Sequence, residues 1–256
     1  MKILCLSDLH LMNFRMMDQE IQRLLGLWNS VGCFGIDVIV ISGDVFEYNI
    51  KFSAYKRLIE IFGEDTPIIF TLGNHDFFFR TIEETLEKYT NDYNPAKYNV
   101  HCLDVIGRYE IGNVRFVGNV LWYDGSLRHR PNQDLYKWGN GGWMDKNIRM
   151  FDYQKEHELC VQQIKTNLVD DEKINVLVTH TVPFRALNGH DDDSPLNAFS
   201  GIDNFNKYLP LDGPRIKYAI CGHTHKRVLG TFHGVNCVNT GSDYYPNDLE
   251  HYVLGI

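Results

Sequence analysis

No Cys-x-x-Cys pair occurs in this chain, although it carries six cysteines, Cys5, Cys33, Cys102, Cys160, Cys221 and Cys237. Scattered singly, they fit neither a disulfide framework nor a thiolate zinc site, and a reducing cytoplasm is the expected setting. Long apolar runs are missing as well. Nothing approaches the ~20 residues of a membrane span, and the start, Met1 to Asp8, reaches a carboxylate too early for a signal peptide. Basic charge is scarce: 25 Lys and Arg stand against 33 Asp and Glu, a formal net charge of −8. That balance disfavours nucleic-acid binding by bulk electrostatics, although divalent cations bound in a cleft would reverse the sign locally. Linkers rich in Pro or Ser, repeats and low-complexity tracts are absent, so residues 1–256 are expected to form one domain.

What is present is an alternation. Short apolar runs rich in β-branched residues recur at Lys2 to Ser7, Asp37 to Ser42, Pro67 to Gly73, Val114 to Asn119, Asn175 to His180 and Tyr218 to His223. These predict buried strands. Between them, helical spacing appears at Met17, Ile21, Leu24, Trp28; at Tyr55, Leu58, Ile59, Phe62; at Ile82, Leu86, Tyr89; and at His157, Val161, Ile164, Leu168. Strand and helix in alternation predict an α/β fold. Two stretches are less regular, 118–152 with its Gly139 to Trp143 run, and Pro183 to Ser200. Both are expected to form pocket rims.

The chemistry-bearing residues fall at strand C-terminal ends, where open α/β sheets bind ligands. Asp8-Leu9-His10 follows the first strand, and its i, i+2 spacing would place both side chains on one side of an extended strand end. Gly43-Asp44 follows the second, and Gly73-Asn74-His75-Asp76 the third; His180 ends another, and Gly222-His223-Thr224-His225 a further one. Singly, each has a plain structural explanation: Asp44 as a helix cap, Asp76 as a turn cap, a histidine as a satisfied polar group. Together, five histidines with Asp8, Asp44 and Asn74 carry the ligand chemistry of a metal centre.

In this order the motifs resemble those of the calcineurin-like metallophosphoesterase superfamily over residues 8 to 225, and Asn239-Thr240-Gly241-Ser242 resembles its terminal turn. The resemblance implies two packed β-sheets flanked by helices, a four-layer αββα sandwich, with two divalent cations at the strand ends. It implies that one cation takes Asp8, His10 and His225, the other Asn74, His180 and His223, with Asp44 bridging them. His75 would stay outside the metal shell facing the leaving group, and Asp76 would hold its ring. The implied reaction is attack on phosphorus by a hydroxide bridging cations ~3.5–4 Å apart, with the departing oxygen protonated by His75.

Leu11, Phe46-Glu47 and Asp76 depart from the serine/threonine phosphatase branch, whereas Gly43-Asp44-Val45-Phe46-Glu47 with Gly73 to Asp76 looks more like the phosphodiesterase and SbcD-type nuclease branches. A small-molecule phosphodiester is the expected substrate; phosphomonoesterase, nuclease and non-catalytic scaffold are the alternatives. The short chain favours a small-molecule enzyme over the nuclease. The donor set suits manganese or iron, with zinc and cobalt also accommodated. Substrate contacts are expected from Trp122, Tyr123, Trp138 and Trp143 by stacking, and from Arg128, Arg130, Lys137 and Arg149 by phosphate pairing, the alternative being aromatics that pack the loop onto the sheet. His190 with Asp191 to Asp193 resembles an extra cation site but reads better as an acidic surface loop.

Overall fold

Strands such as Val38-Ile39-Val40-Ile41 are apolar on both faces, which demands cover on both. The computed structural model describes residues 1–11, 14–32, 35–46, 53–92, 98–129, 144–210, 213–242 and 250–256, and supplies that cover with two sheets. In the first, β1 (Lys2–Leu6), β2 (Val38–Ser42), β3 (Ile68–Thr71) and β4 (Val100–Cys102) run parallel. In the second, β6 (Val114–Asn119), β7 (Ile174–Thr179), β8 (Ile216–Cys221) and β10 (Val235–Asn239) are parallel, with β5 (Arg108–Ile111) and β9 (Val228–Phe232) as antiparallel edges. A final strand, β11 (Tyr252–Gly255), closes the β1 edge antiparallel, giving the orders β11-β1-β2-β3-β4 and β5-β6-β7-β8-β10-β9.

The period-2 alternation of strand side chains assigns each residue to a layer. Ile3, Cys5, Val38, Val40 and Ile69 point inward and meet Phe116, Val176, Val178, Ile220 and Val238 of the second sheet. Their neighbours Leu4, Leu6, Ile39, Ile41, Ile68 and Phe70 point outward, where Leu24 and Leu27 of α1 (Phe14–Val31), Leu58 and Phe62 of α2 (Ser53–Phe62) and Tyr89 of α3 (Ile82–Asp92) cover them. On the far side, Val117, Leu177, Ala219 and Cys221 pack under Val161 and Ile164 of α4 (Tyr153–Asn167). The result is helix, sheet, sheet, helix, as the resemblance implied. Each fully buried aliphatic or aromatic side chain contributes roughly 1.5–3 kcal/mol to holding these layers together.

The helix ends follow local chemistry. Asp152 caps α4 by accepting from the backbone N–H groups of Gln154 and Lys155, and Thr81 with Glu84 forms a reciprocal capping pair at the start of α3. Asp104, buried in the single helical turn Leu103–Ile106, accepts the Leu72 N–H at 2.7 Å and the Val120 N–H at 2.8 Å. One carboxylate thereby ties the end of β3 in one sheet to the end of β6 in the other. Among the described residues no helix is long and apolar enough to cross a membrane. The described cysteines are unpaired thiols, and all but the half-buried Cys160 are buried; Cys33 lies outside the described residues.

Trp122 and Tyr123 are not substrate-facing. Both are fully buried, because Thr181 binds the Leu121 carbonyl and the Val120 carbonyl, laying this segment along the end of β7. Trp122 packs edge-on against Phe77 and Phe151, and Tyr123 stacks on Tyr153. The aromatics pack the loop onto the sheet, the second of the two readings open from sequence. Arg149 is exposed and paired with Glu84, and Arg128 donates its backbone N–H to Gly125 within a turn; neither lines the cavity described below. Arg130, Lys137, Trp138 and Trp143 lie outside the described residues.

Candidate metal centre

The backbone at the strand ends departs from extended geometry at the expected ligand positions themselves. Asp8, His10, Asp44, His223 and His225 all have positive φ, between 42° and 70°, a conformation costly for residues with a Cβ and concentrated at functional sites. The i, i+2 pairs Asp8/His10 and His223/His225 therefore converge through two left-handed residues each, correcting the extended strand end expected from their spacing. Hydrogen bonds hold this path. Asp8 and His10 donate their N–H groups to the carbonyls of Gly43 and Asp44 at 3.1 and 2.9 Å, and the His223 N–H bonds the Asp8 carboxylate at 3.0 Å.

Glycine is required where the motifs pack most closely. A Cβ on Gly73 would lie 2.0 Å from the Asp44 Oδ1, and one on Gly43, itself at φ +83°, would lie 2.1 Å from the His180 Nδ1. These two positions let three motifs from three strands share one small volume. Asn239, in the terminal motif, donates to the Thr224 Oγ1 at 2.8 Å and the Leu187 carbonyl at 2.9 Å. It grips the residue between the two histidines of the Gly-His-Thr-His turn.

Four donor atoms converge on one side. The His180 Nε2 lies 3.0 Å from the Asn74 Oδ1, 3.1 Å from the His223 Nδ1 and 3.3 Å from the Asp44 Oδ2. Ligand atoms sharing a cation at bonds of about 2.1 Å stand about 3.0–3.4 Å apart, so this spacing matches a coordination edge. Backbone carbonyls select the nitrogens that face the site: Ser42 takes the Nδ1 of His180, and Phe199 the Nε2 of His223, each at 3.0 Å. On the other side, Asp8, His10 and His225 bring one ligand atom each within 4.8 Å of the others, and the rings of His10 and His225 stack 5.3 Å apart. The His10 Nε2 is 3.9 Å from the Asp44 Oδ2, which places Asp44 between the two groups.

Electrostatics point the same way. Burial alone would raise the Asp44 carboxyl, but His180, His75 and His10 overcome it and hold the group well below the usual carboxylate range. Burial likewise disfavours charge on His180, yet Asp44 and Asp8 pull its pKa up to about 9. Burial and the neighbouring His180 push His223 well below the usual imidazole range. Asp8 and Asp44 thus attract positive charge into a buried cluster of neutral and anionic donors, which a cation satisfies as well as a proton does. The donor set fits divalent metals: carboxylate, amide oxygen and imidazole suit manganese, iron, zinc or cobalt.

His75 lies beside this cluster with its ring 4.7 Å from that of His10 and 4.6 Å from that of Phe78. Its N–H donates to the Asp44 Oδ1 at 3.1 Å and its Nε2 is 3.8 Å from the Asp44 Oδ2. His10, Asp44 and His75 also bring ligand atoms within 4.8 Å of one another, so distance alone does not set His75 apart from the ligands. Asp76 takes a different part from the expected one. Its Oδ2 accepts the Gly73 N–H at 2.8 Å and its Oδ1 the Tyr89 hydroxyl at 2.5 Å; burial and the Asp44 charge raise it to about 6. Both oxygens serve the turn that presents Asn74 and His75, and the turn-cap reading prevails over that of an imidazole partner.

A cavity of about 340 Å³ opens over the cluster, lined by Asp44, Asn74, His75, His223 and His225 and, beyond them, by Met144, Asp145, His190, Leu196, Phe199, Ser200, Thr224 and Lys226. Both irregular stretches reach it. Sequence reasoning missed Asp145 and Lys226, and assigned His190 to an acidic surface loop without the cavity. Asp145 is buried and accepts from the Asn74 Nδ2 at 2.9 Å, turning the amide so that its oxygen faces His180. A lone Asp among irregular residues carries no motif signal. The carbonyls of Asp191 and Asp192, not their carboxylates, receive the Asn197 amide in the acidic loop, and that fold of the loop brings His190 to the cavity.

Comparison with known proteins agrees with this geometry. The fold is similar to that of a phosphopantetheinyl hydrolase from Mycobacterium tuberculosis, at 17% identity and a TM-score of 0.64 over 93% of this chain and 88% of that one. It is also similar to GAP50 of Plasmodium, at 14% identity and a TM-score of 0.51 over 99% of this chain and 77% of that one. A search of curated proteins finds no match. The sequence model of the calcineurin-like phosphoesterases matches residues 1–227, and with the strand-end cluster in place the chain belongs to that family.

Proposed function

We propose that this protein is a dinuclear metal-dependent phosphoesterase that hydrolyses a small phosphodiester. The observation that carries the reading is the convergence of the Asn74, His223 and Asp44 donor atoms within 3.3 Å of the His180 Nε2. Asp8, His10 and His225 would hold one cation and Asn74, His180 and His223 the other, with the Asp44 carboxylate between them. Bound divalent cations supply a water made acidic enough to attack near neutral pH, and charge neutralisation for phosphate oxygens. His75 contributes what the cluster lacks, an imidazole that lines the cavity and can protonate a departing oxygen. Asp76 and Tyr89 hold the turn that aims it.

A cavity of about 340 Å³ leaves room around a phosphorus for substituents on two sides, which supports a diester over a simple monoester. Manganese or iron is the proposed metal. GAP50 is described as an anchor in an inner membrane complex, and such a scaffold would have no need of a full ligand set. All seven ligand positions hold competent side chains here, which supports the enzyme reading.

The test is hydrolysis of bis-p-nitrophenyl phosphate and p-nitrophenyl phosphate by metal-stripped protein, with and without manganese. The expected outcome is manganese-dependent cleavage favouring the diester, abolished in Asp44→Asn, and lowered about 10²- to 10⁴-fold in His75→Ala with metal content retained. No turnover and no bound metal would overturn the proposal.

A further inference from the structure

The cavity walls divide by chemistry once the metal ligands are set aside. One flank is apolar: Phe199 is buried, while Met144 and Leu196 remain 51% and 41% exposed despite their hydrophobicity. The lining also carries a cation. Lys226 follows His225 directly, is exposed, and has no ion-pair partner among the described residues. Its base packs against Gly189, at φ +69°, where an added Cβ would lie 2.5 Å from the Lys226 Cβ. The same glycine delivers His190 to the cavity beside it. Burial, then the Lys226 and His225 charges, lower the His190 pKa, with Asp191 pulling the other way. The cavity lining thus sets an imidazole beside the Lys226 amine.

A lysine with no ion-pair partner among the described residues, in a protein of net charge −8, lines the pocket one residue beyond His225 and calls for an anion that the metals do not hold. The geometry points to a substrate with two anionic groups: a phosphodiester at the metal centre and a second phosphate or carboxylate bound by Lys226 and His190, with the part between them lying against Met144, Leu196 and Phe199. An ammonium and an imidazole N–H both suit a phosphate oxygen, and a charge-assisted contact of this kind is stronger than a neutral one. This inference rests on the proposed phosphodiesterase reading, and it makes Lys226 and His190 specificity-determining residues.

The experiment compares thymidine 5′-(p-nitrophenyl phosphate) with its 3′-phosphorylated derivative, which differs only in the second anion, on the manganese-loaded full chain. Wild type is expected to prefer the 3′-phosphorylated substrate in kcat/KM by about tenfold. Lys226→Ala should abolish that preference through KM, Lys226→Arg should restore it, and His190→Ala should reduce it. A binding arm is independent of turnover: thymidine 3′,5′-bisphosphate should raise the melting temperature more than thymidine 5′-monophosphate in wild type, and equally in Lys226→Ala. A preference unchanged in Lys226→Ala, or bisphosphate and monophosphate protecting wild type alike, would overturn the inference. Absence of hydrolysis with selective bisphosphate protection intact would sink the catalytic proposal and leave the anion subsite standing.

Discussion

The amide nitrogen of Asn74 lies 2.9 Å from a carboxylate oxygen of Asp145, seventy-one positions away in sequence. Because an amide that donates from one end must present its oxygen at the other, Asp145 decides which atom of Asn74 faces His180 and His223. Burial raises the Asp145 carboxyl above the usual range, while Asn74 and Tyr123 act to lower it. The bond thus couples a loop residue to the centre that the strand-end motifs build.

Asp145→Ala should weaken one of the two proposed metal sites and spare the other, since the Asp145–Asn74 pair leads to His180 on one side of the cluster. Loss of such a supporting contact typically lowers metal affinity about 10- to 100-fold. Metal titration should then show two unequal sites where wild type shows tighter filling. Two sites of unaltered affinity would remove Asp145 from this part.

Trp122→Ala should act on stability and leave substrate affinity alone. The indole is 1% exposed and wedged between Phe77 and Phe151, and truncating a buried aromatic of this size costs about 3–5 kcal/mol. Chemical denaturation would show the loss directly. A raised KM with unchanged stability would restore the stacking role that the sequence suggested.

Gly73→Ala places a methyl 2.0 Å from the Asp44 Oδ1 and 2.4 Å from its backbone nitrogen. The Gly73 N–H is already tied to the Asp76 carboxylate, which opposes a shift of the turn. Overpacking costs about 1–3 kcal/mol in ordinary cores, and here it also displaces the central carboxylate. Both the melting temperature and the metal content should fall together; a variant that melts lower but binds both cations normally would show that the turn can move without moving Asp44.

Asp104 sets a pH dependence of stability. Burial raises its pKa to about 7, against the backbone N–H donors of Leu72 and Val120, while an exposed Asp in the unfolded chain titrates near 3.9. Between those values the folded state holds a proton that the unfolded chain has released. Its contribution is therefore fully present below about pH 4 and is lost as pH rises through about 7. The difference in stability between wild type and Asp104→Asn, followed on metal-free protein, should narrow across that window. A difference independent of pH would show that Asp104 is ionised throughout.

The alternation of apolar runs and helical spacings specified most of the secondary structure, because burying both faces of Val38 to Ile41 or one stripe of Ile82, Leu86 and Tyr89 is a local demand. The six expected strands correspond to β1, β2, β3, β6, β7 and β8, and the four helical patterns to α1 through α4. The edges β5, β9 and β11 and the short β4 were not legible, since edge strands need neither full burial nor a long apolar run; the interior β10, interrupted by polar Asn236 and Asn239, was missed as well. The ligand positions were legible as motifs because five strand ends carry the same donor types in one order.

The sequence by itself determined that a centre of carboxylate, amide and imidazole ligands would form at strand C-terminal ends, since those side-chain types and the glycines beside them are written in the chain. Only the tertiary structure decided that Asp8, His10, Asp44, His223 and His225 reach it through left-handed backbone, that Asp76 serves a turn, that Trp122 and Tyr123 belong to the core, and that Asp145, His190 and Lys226 join the cavity. The reason is physical. Donor chemistry is a property of single residues, whereas burial, orientation and the partner of a carboxylate are settled by segments far apart in the chain that meet only when two sheets pack.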